Sequence, residues 1–146
     1  MLVMGPIAMG QTDRHAEHAR VDSVLANELR ADEYGMMEYV LAILKPGPNR
    51  DQDSATVARL LHGHLKNNQR LAEEGKIGLA GPFTDDSGLA GIFVYNVGAV
   101  EEARVLGESD PAIRAGRLTV KYHPRYGSAA LQKVTEIHAR IQRASF

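Results

Sequence analysis

Two polar residues interrupt an otherwise apolar stripe on the longest helical pattern in the chain. From about Ala55 to Glu74, at roughly 100° per residue, Val57, Leu60, Leu61, His64, Asn68, Leu71 and Ala72 fall on one face, with Arg59, His62, Lys66, Arg70 and Glu73 opposite. A histidine in a core-facing stripe must find a partner or line a wet cavity, because an unpaired buried polar group costs about 1–3 kcal/mol. Asn68 stands four residues on from His64, so the two can satisfy each other. Imidazole also exchanges protons near neutral pH, which suits a general base at the same position. Periodicity alone leaves both readings standing.

The other candidates carry less. His62 points to solvent on this count, so His62 and His64 form no metal clip on one helix face. His15 and His18 share a face at i, i+3 but have no cysteine and no third ligand nearby, and read as a solvated surface. His123 and His138 have no partner pattern. Asp110-Pro111 reads as a helix exit, the aspartate turning the chain and the proline forbidding continuation. Gly81-Pro82 reads as a strand interruption, where backbone groups can face a cleft.

These residues are carried by a recognisable order of elements. Glu38 to Lys45 is apolar on both alternating faces, the pattern of a strand covered on both sides, and Pro46-Gly47-Pro48 ends it. Asp53 or Ser54 caps the long helix, and Gly75 stops it. Lys76 to Phe83 and Leu89 to Asn96 form a hairpin about Thr84 to Gly88. Val100 to Glu108 is a second helix and Leu118 to His123 a fourth strand, with Pro124 to Ser128 read as a turn. Leu131 to Arg143 suits a last amphipathic helix with Leu131, Val134, Ile137, His138 and Ile141 on one side.

The order β-α-β-β-α-β, with a helix at each end, predicts a ferredoxin-like α+β fold: an antiparallel sheet with helices on one face. The expected parts are an N-terminal extension over residues 1–35, the compact domain over 36–128 and a C-terminal helix over 129–146. In the extension, Asp13 to Tyr34 is polar, with a thin stripe of Val21, Leu25 and Leu29 that suggests one modest helix dispensable to the core. Strand three places Ile92 and Val94 on one face and Phe93 and Tyr95 on the other, so the open sheet face is apolar too. A second sheet is the simplest cover.

Composition narrows the partners. The 146 residues carry a formal charge of -1 and no cysteine, which removes disulfides, thiolate metal sites and any global field for nucleic acid or an anionic membrane. RNA-recognition domains share this element order, but strand three has no lysine or arginine beside Phe93 and Tyr95. The apolar start from Met1 to Gly10 has no preceding basic residue and is too short to span a bilayer, so a cytoplasmic location is the expectation. No metal set and no cofactor motif is present.

His64 through Phe83, with its helical histidine, its Gly75 turn and Ala80-Gly81-Pro82, resembles the YCII-related family. Glu101 to Arg104 and the segment Ser109-Asp110-Pro111-Ala112-Ile113-Arg114-Ala115-Gly116 match that family's second helix and its D-P-x-x-x-x-G closing pattern. The likeness spans about Glu38 to Tyr126. It implies a homodimer paired sheet to sheet as a dimeric α/β barrel, a site built from His64 and Asp110, and metal-free acid–base chemistry of a lyase or dehydrochlorinase kind on a small organic substrate. On that reading Asn68, Gly81 and Pro82 line the substrate. The alternative is a non-catalytic ligand-binding or structural homodimer in which His64 merely bonds Asn68. Longer relatives end in His-Pro-Trp-Tyr-Gly where this chain has His123-Pro124-Arg125-Tyr126-Gly127, and Gly91-Ile92 replaces the serine of small members, so no hydroxyl role carries over.

Overall fold

The computed structural model describes residues 20–144, so the expectations for Met1 to Gly10 and for His15 and His18 lie outside the described residues. In chain order the elements are α1 (Ser23–Glu28), β1 (Met36–Pro46), α2 (Ser54–Glu73), β2 (Ile77–Pro82), β3 (Gly91–Tyr95), α3 (Val100–Glu108), α4 (Pro111–Arg114), β4 (Leu118–Ser128), a 3-10 turn (Ala129–Lys133) and α5 (Val134–Ile141). The four strands form one antiparallel sheet in the order β2-β3-β1-β4. This is the expected ferredoxin-like α+β arrangement. Among the described residues no helix is long and apolar enough to cross a membrane.

Local chemistry explains the long helix at both ends. The Asp53 carboxylate accepts from the Thr56 amide at 2.7 Å, satisfying one of the first-turn N–H groups that have no intrahelical partner. At the other end Gly75 takes φ +69°, its N–H donates to Ala72 O and that of Lys76 donates to Leu71 O. This paired closure needs a residue that tolerates the left-handed region, and glycine does so without a Cβ penalty.

Alternation then sorts the sheet. Val40, Ala42 and Leu44 of β1 and Phe93 and Tyr95 of β3 face the helices, where they pack with Leu71, Ile77 and Ala103. The opposite parity places Tyr39, Leu41 and Ile43 of β1, Ile92 and Val94 of β3 and Leu79 of β2 on the other face. Phe93 and Tyr95 are therefore core residues beneath the helices. The aromatic platform that RNA stacking needs is not on the open face.

The larger differences from the sequence reading lie towards the two ends of the chain. β4 runs on through Pro124 to Ser128 in one continuous ladder with β1, from Leu118 opposite Pro46 to Ser128 opposite Met36. No turn occurs there, because β4 is an edge strand, where a proline is tolerated without breaking the sheet. The last helix is a 3-10 turn followed by α5, and Ile137 and Ile141 remain 52% and 71% exposed. The 3-10 turn and α5 both lie against β2, and the turn lies against β1 as well.

From Arg20 on, the N-terminal stretch carries one short helix, the six residues Ser23–Glu28 capped by Asp22, and the part of the expected helix before Arg20 lies outside the described residues. Val21 is exposed and Leu29 is the buried member of its stripe. Leu29 O accepts from Gln132 Nε2 at 2.7 Å, Glu28 pairs with Lys133 at 2.8 Å, and Arg30 Nη2 donates to Asn96 O at 3.3 Å. Asp32 accepts from the amides of Tyr34 and Met36 and from the Tyr126 hydroxyl, whose bond is the largest cause of its lowered carboxyl pKa. A chain starting at Met36 should therefore be about 2 kcal/mol less stable than one starting at Arg20, chiefly through Leu29. Urea unfolding of the two truncations measures it, and equal midpoints would show that the extension contributes nothing to the domain.

Candidate functional site

α2 and α4 meet where α2 has no side chain. A Cβ on Gly63 would lie 2.7 Å from Cγ of Pro111, so glycine is what lets the proline at the start of α4 seat against the helix. The next residue on α2 is His64, and the residue before Pro111 is Asp110. That close approach brings together two side chains 46 positions apart: His64 Nδ1 lies 2.5 Å from Asp110 Oδ2.

Asp110 does more than end a helix. α3 stops at Glu108 with Ser109 as its C-cap, and Asp110 then caps the unforeseen α4, its Oδ1 accepting from the Ala112 amide at 2.8 Å. The side chain is 1% exposed and that of His64 is 16% exposed. A carboxylate whose oxygens accept from the Ala112 amide and from the ring places the His64 proton on Nδ1. Nε2 is then an acceptor, and Asn68 Nδ2 donates to it at 3.1 Å.

Aromatic rings support the imidazole from below. Its centroid is 5.9 Å from that of Phe93, and Phe93 in turn stands 5.6 Å from Tyr95. The Tyr95 phenol is pushed well above its ordinary pKa by burial first, then by the nearby Tyr122 and Asp110. Burial also raises that of Tyr122, Glu108 and Asp110 adding to it, while Arg104, stacked over the ring at 5.2 Å, opposes the shift. Both phenols stay protonated at neutral pH.

Of the residues expected to share this site, His64, Asp110 and Asn68 are connected by hydrogen bonds. Gly81 is not with them: it pairs with Ile92 and so lies on the face turned away from the helices, and Pro82 pairs with Gly91 at the far end of β2. The strand residue beside Phe93 is Ala80. Leu61 is also misplaced by the helical count, being 57% exposed, whereas Asn67 is buried. Leu60, Asn67 and Leu71 recur at steps of seven and four, a signal that could have identified Asn67. It accepts from Arg70 at 2.9 Å and from Ser109 at 3.1 Å, tying α2 to the end of α3.

A groove of about 500 Å³ lies along this same seam, lined by Gly63, Lys66, Asn67, Arg70, Ser109 and Pro111 among others. His64 and Asp110 are not in its lining. Among the described residues no three histidine, aspartate, glutamate or cysteine side chains converge as a metal site would require.

A family model for the YCII-related domain matches residues 37–122. The chain belongs to the YCII-related family. The matched stretch runs from the start of β1 into β4 and holds every residue of the His64–Asp110–Asn68 cluster. A YCII-related chain of this kind is 36% identical over 61 residues to the uncharacterised protein YjpA of Bacillus subtilis, an overlap of 40% of this chain and 69% of that one. Among solved structures, the 5-chloro-2-hydroxyhydroquinone dehydrochlorinase of Burkholderia phenoliruptrix, in complex with 2,5-dihydroxybenzoquinone, is similar at 23% identity and a TM-score of 0.42, over 60% of this chain and 90% of that one.

Alanine at position 63 should disturb the site without touching it. The added methyl meets the Pro111 ring, which is fixed by its own backbone, so α4 must move outward and carry Asp110 from His64. Overpacking of this kind costs about 1–3 kcal/mol. Urea unfolding together with the His64 ring resonances reads both effects, and unchanged stability with unchanged ring shifts would show that α4 has room to yield.

Proposed function

We propose that this YCII-related protein is an acid–base enzyme of the lyase type acting on a small organic acid or phenol, with His64 as the base and Asp110 as its partner. The observation that carries the reading is the 2.5 Å approach of His64 Nδ1 to a carboxylate buried to 1% exposure. Asp110 holds the Nδ1–H tautomer and stabilises the imidazolium that forms when Nε2 takes a proton. In an elimination, Nε2 accepts a proton from the substrate carbon, the C–H electron pair becomes the new double bond, and the leaving group departs with its own pair. Only side chains of this chain take part in the proposed step.

A second reading, a ligand-binding or structural dimer, is favoured by one observation: both ring nitrogens of His64 are already bonded, and the 500 Å³ groove is not lined by it. A turnover screen over small organic acids and hydroxyquinols separates the two. In the catalytic reading His64→Gln, which keeps a polar side chain of similar reach, lowers kcat by roughly 10²–10⁴-fold, the usual contribution of a positioned base. Activity retained in His64→Gln would overturn it. Binding without turnover in the parent protein would favour the second reading.

The protein is also proposed to pair with a second copy of itself through the open sheet face. Leu41, Ile43 and Ile92 are adjacent there by register and half-buried, while the C-terminal turn covers the end marked by Tyr39. The family resemblance implies the same pairing.

A further inference from the structure

The Asn68 amide is bonded at one end only. Its Nδ2 donates to His64 Nε2, while its Oδ1 is buried and without a hydrogen-bond partner among the described residues. An unpaired buried carbonyl is costly, so this orientation is favourable only while Nε2 has a lone pair to offer. Once Nε2 carries a proton the same orientation sets N–H against N–H, and the amide must turn.

We propose that Asn68 is a positioning residue that follows the proton on His64: its side-chain amide turns over when Nε2 is protonated, so that Oδ1 replaces Nδ2 against the ring. The two ends of an amide are nearly equal in size, so a half-turn about its terminal bond needs no movement of α2. Protonation thereby exchanges a neutral N–H···N bond for a charge-assisted N–H···O bond. The proton taken from a substrate is held between Asp110 on one side of the ring and Asn68 on the other. A substrate donor reaching Nε2 displaces the Asn68 amide first, so the residue also guards the empty base.

The purpose of this device rests on the acid–base reading, but its test does not need a substrate. The groups around the ring are Asp110 from the cap of α4 and Asn68 from α2, with Tyr95 of β3 and Tyr122 of β4 beside Asp110 and Arg104 of α3 over Tyr122. All but Asn68 are unchanged in the variants below. The titration of the His64 ring is followed by nitrogen NMR in the full chain, with the Asn68 side-chain NH2 resonances recorded alongside. In the parent protein those amide resonances should move with the same midpoint as the ring. In Asn68→Leu the cation loses its charge-assisted bond, roughly twice as strong as the neutral one, and the midpoint should fall by about one pH unit. In Asn68→Asp a second carboxylate faces the ring and the midpoint should rise.

An Asn68 amide that does not move while the ring titrates overturns the proposal, as does a folded Asn68→Leu protein with the parent midpoint. If the leucine variant fails to fold, the parent amide resonances decide alone. An asparagine fixed as a donor to Nε2 would bond only the neutral ring, so Asn68→Leu would then raise the midpoint instead of lowering it, which also overturns the proposal. Turnover measurements judge the acid–base reading separately, so the two can fail independently.

Discussion

Replacing Phe93 by alanine should destabilise the protein by about 3–5 kcal/mol, near the top of what one core substitution does. Phe93 is 3% exposed, and its ring is in contact with those of both His64 and Tyr95. Its two neighbours across the sheet are Ala42 and Ala80. Alanines cannot swing into the vacated space, so the cavity stays open and the cost includes lost contacts as well as lost transfer energy. His64 loses the surface it rests on, and its bond to Asp110 should become irregular. Urea unfolding reads the first effect and the His64 ring resonances the second. The same change at Ile92, on the opposite face, should cost less. A loss under 1.5 kcal/mol at Phe93, an estimate set well below the usual range for a buried ring, would mean that α2 settles into the gap.

How much of this could be read in advance depended on whether the deciding interaction was local. Asp53, Gly75 and the apolar alternation of β1 act within a few residues, and the long helix, the element order and the sheet follow from them. The extent of β4 depends on pairing with Met36 to Glu38, which a strand-by-strand reading does not see, so Pro124 looked like an end. Leu61 and Asn67 changed places because a helical count gives the spacing of a stripe but not its rotation towards α3 and α4.

The site shows the same division. His64 and Asn68 are one helical turn apart, and their hydrogen bond follows from spacing alone. Asp110 was a helix exit by its local pattern, and its tie to His64 depends on Gly63, a residue that matters for the side chain it lacks. No periodicity marks such a glycine; only the Pro111 ring packed against it does. Gly81 and Pro82 were grouped with the dyad through the family likeness, whereas their register in β2 places them elsewhere.

The other large effect expected is on assembly. Leu41 pairs with Val94 and Ile43 with Ile92 across β1 and β3, giving an apolar centre on the face away from the helices, with Lys121 and His123 of β4 beside it. The 3-10 turn and α5 pack against β2 and the turn against β1, so that among the described residues Ile43 and Ile92 are only partly covered. Exposed apolar surface of this kind is worth about 25 cal/mol per Å² when removed from water, and a stable pairing needs about 800 Å² from each partner. One sheet face set against its own copy about a two-fold axis can supply that, each strand meeting the same residues twice. Ile43→Asp would put two carboxylates into the centre of such an interface, where burying an unpaired charge is prohibitive. Light scattering should therefore give twice the chain mass for the parent protein and the single chain mass for Ile43→Asp at micromolar concentration. Leu61→Asp, on the outer side of α2, should leave the doubled mass unchanged. A parent protein that is already monomeric, or an Ile43→Asp protein that keeps the doubled mass, would place the contact elsewhere, and dissociation by Leu61→Asp would assign it to the helices.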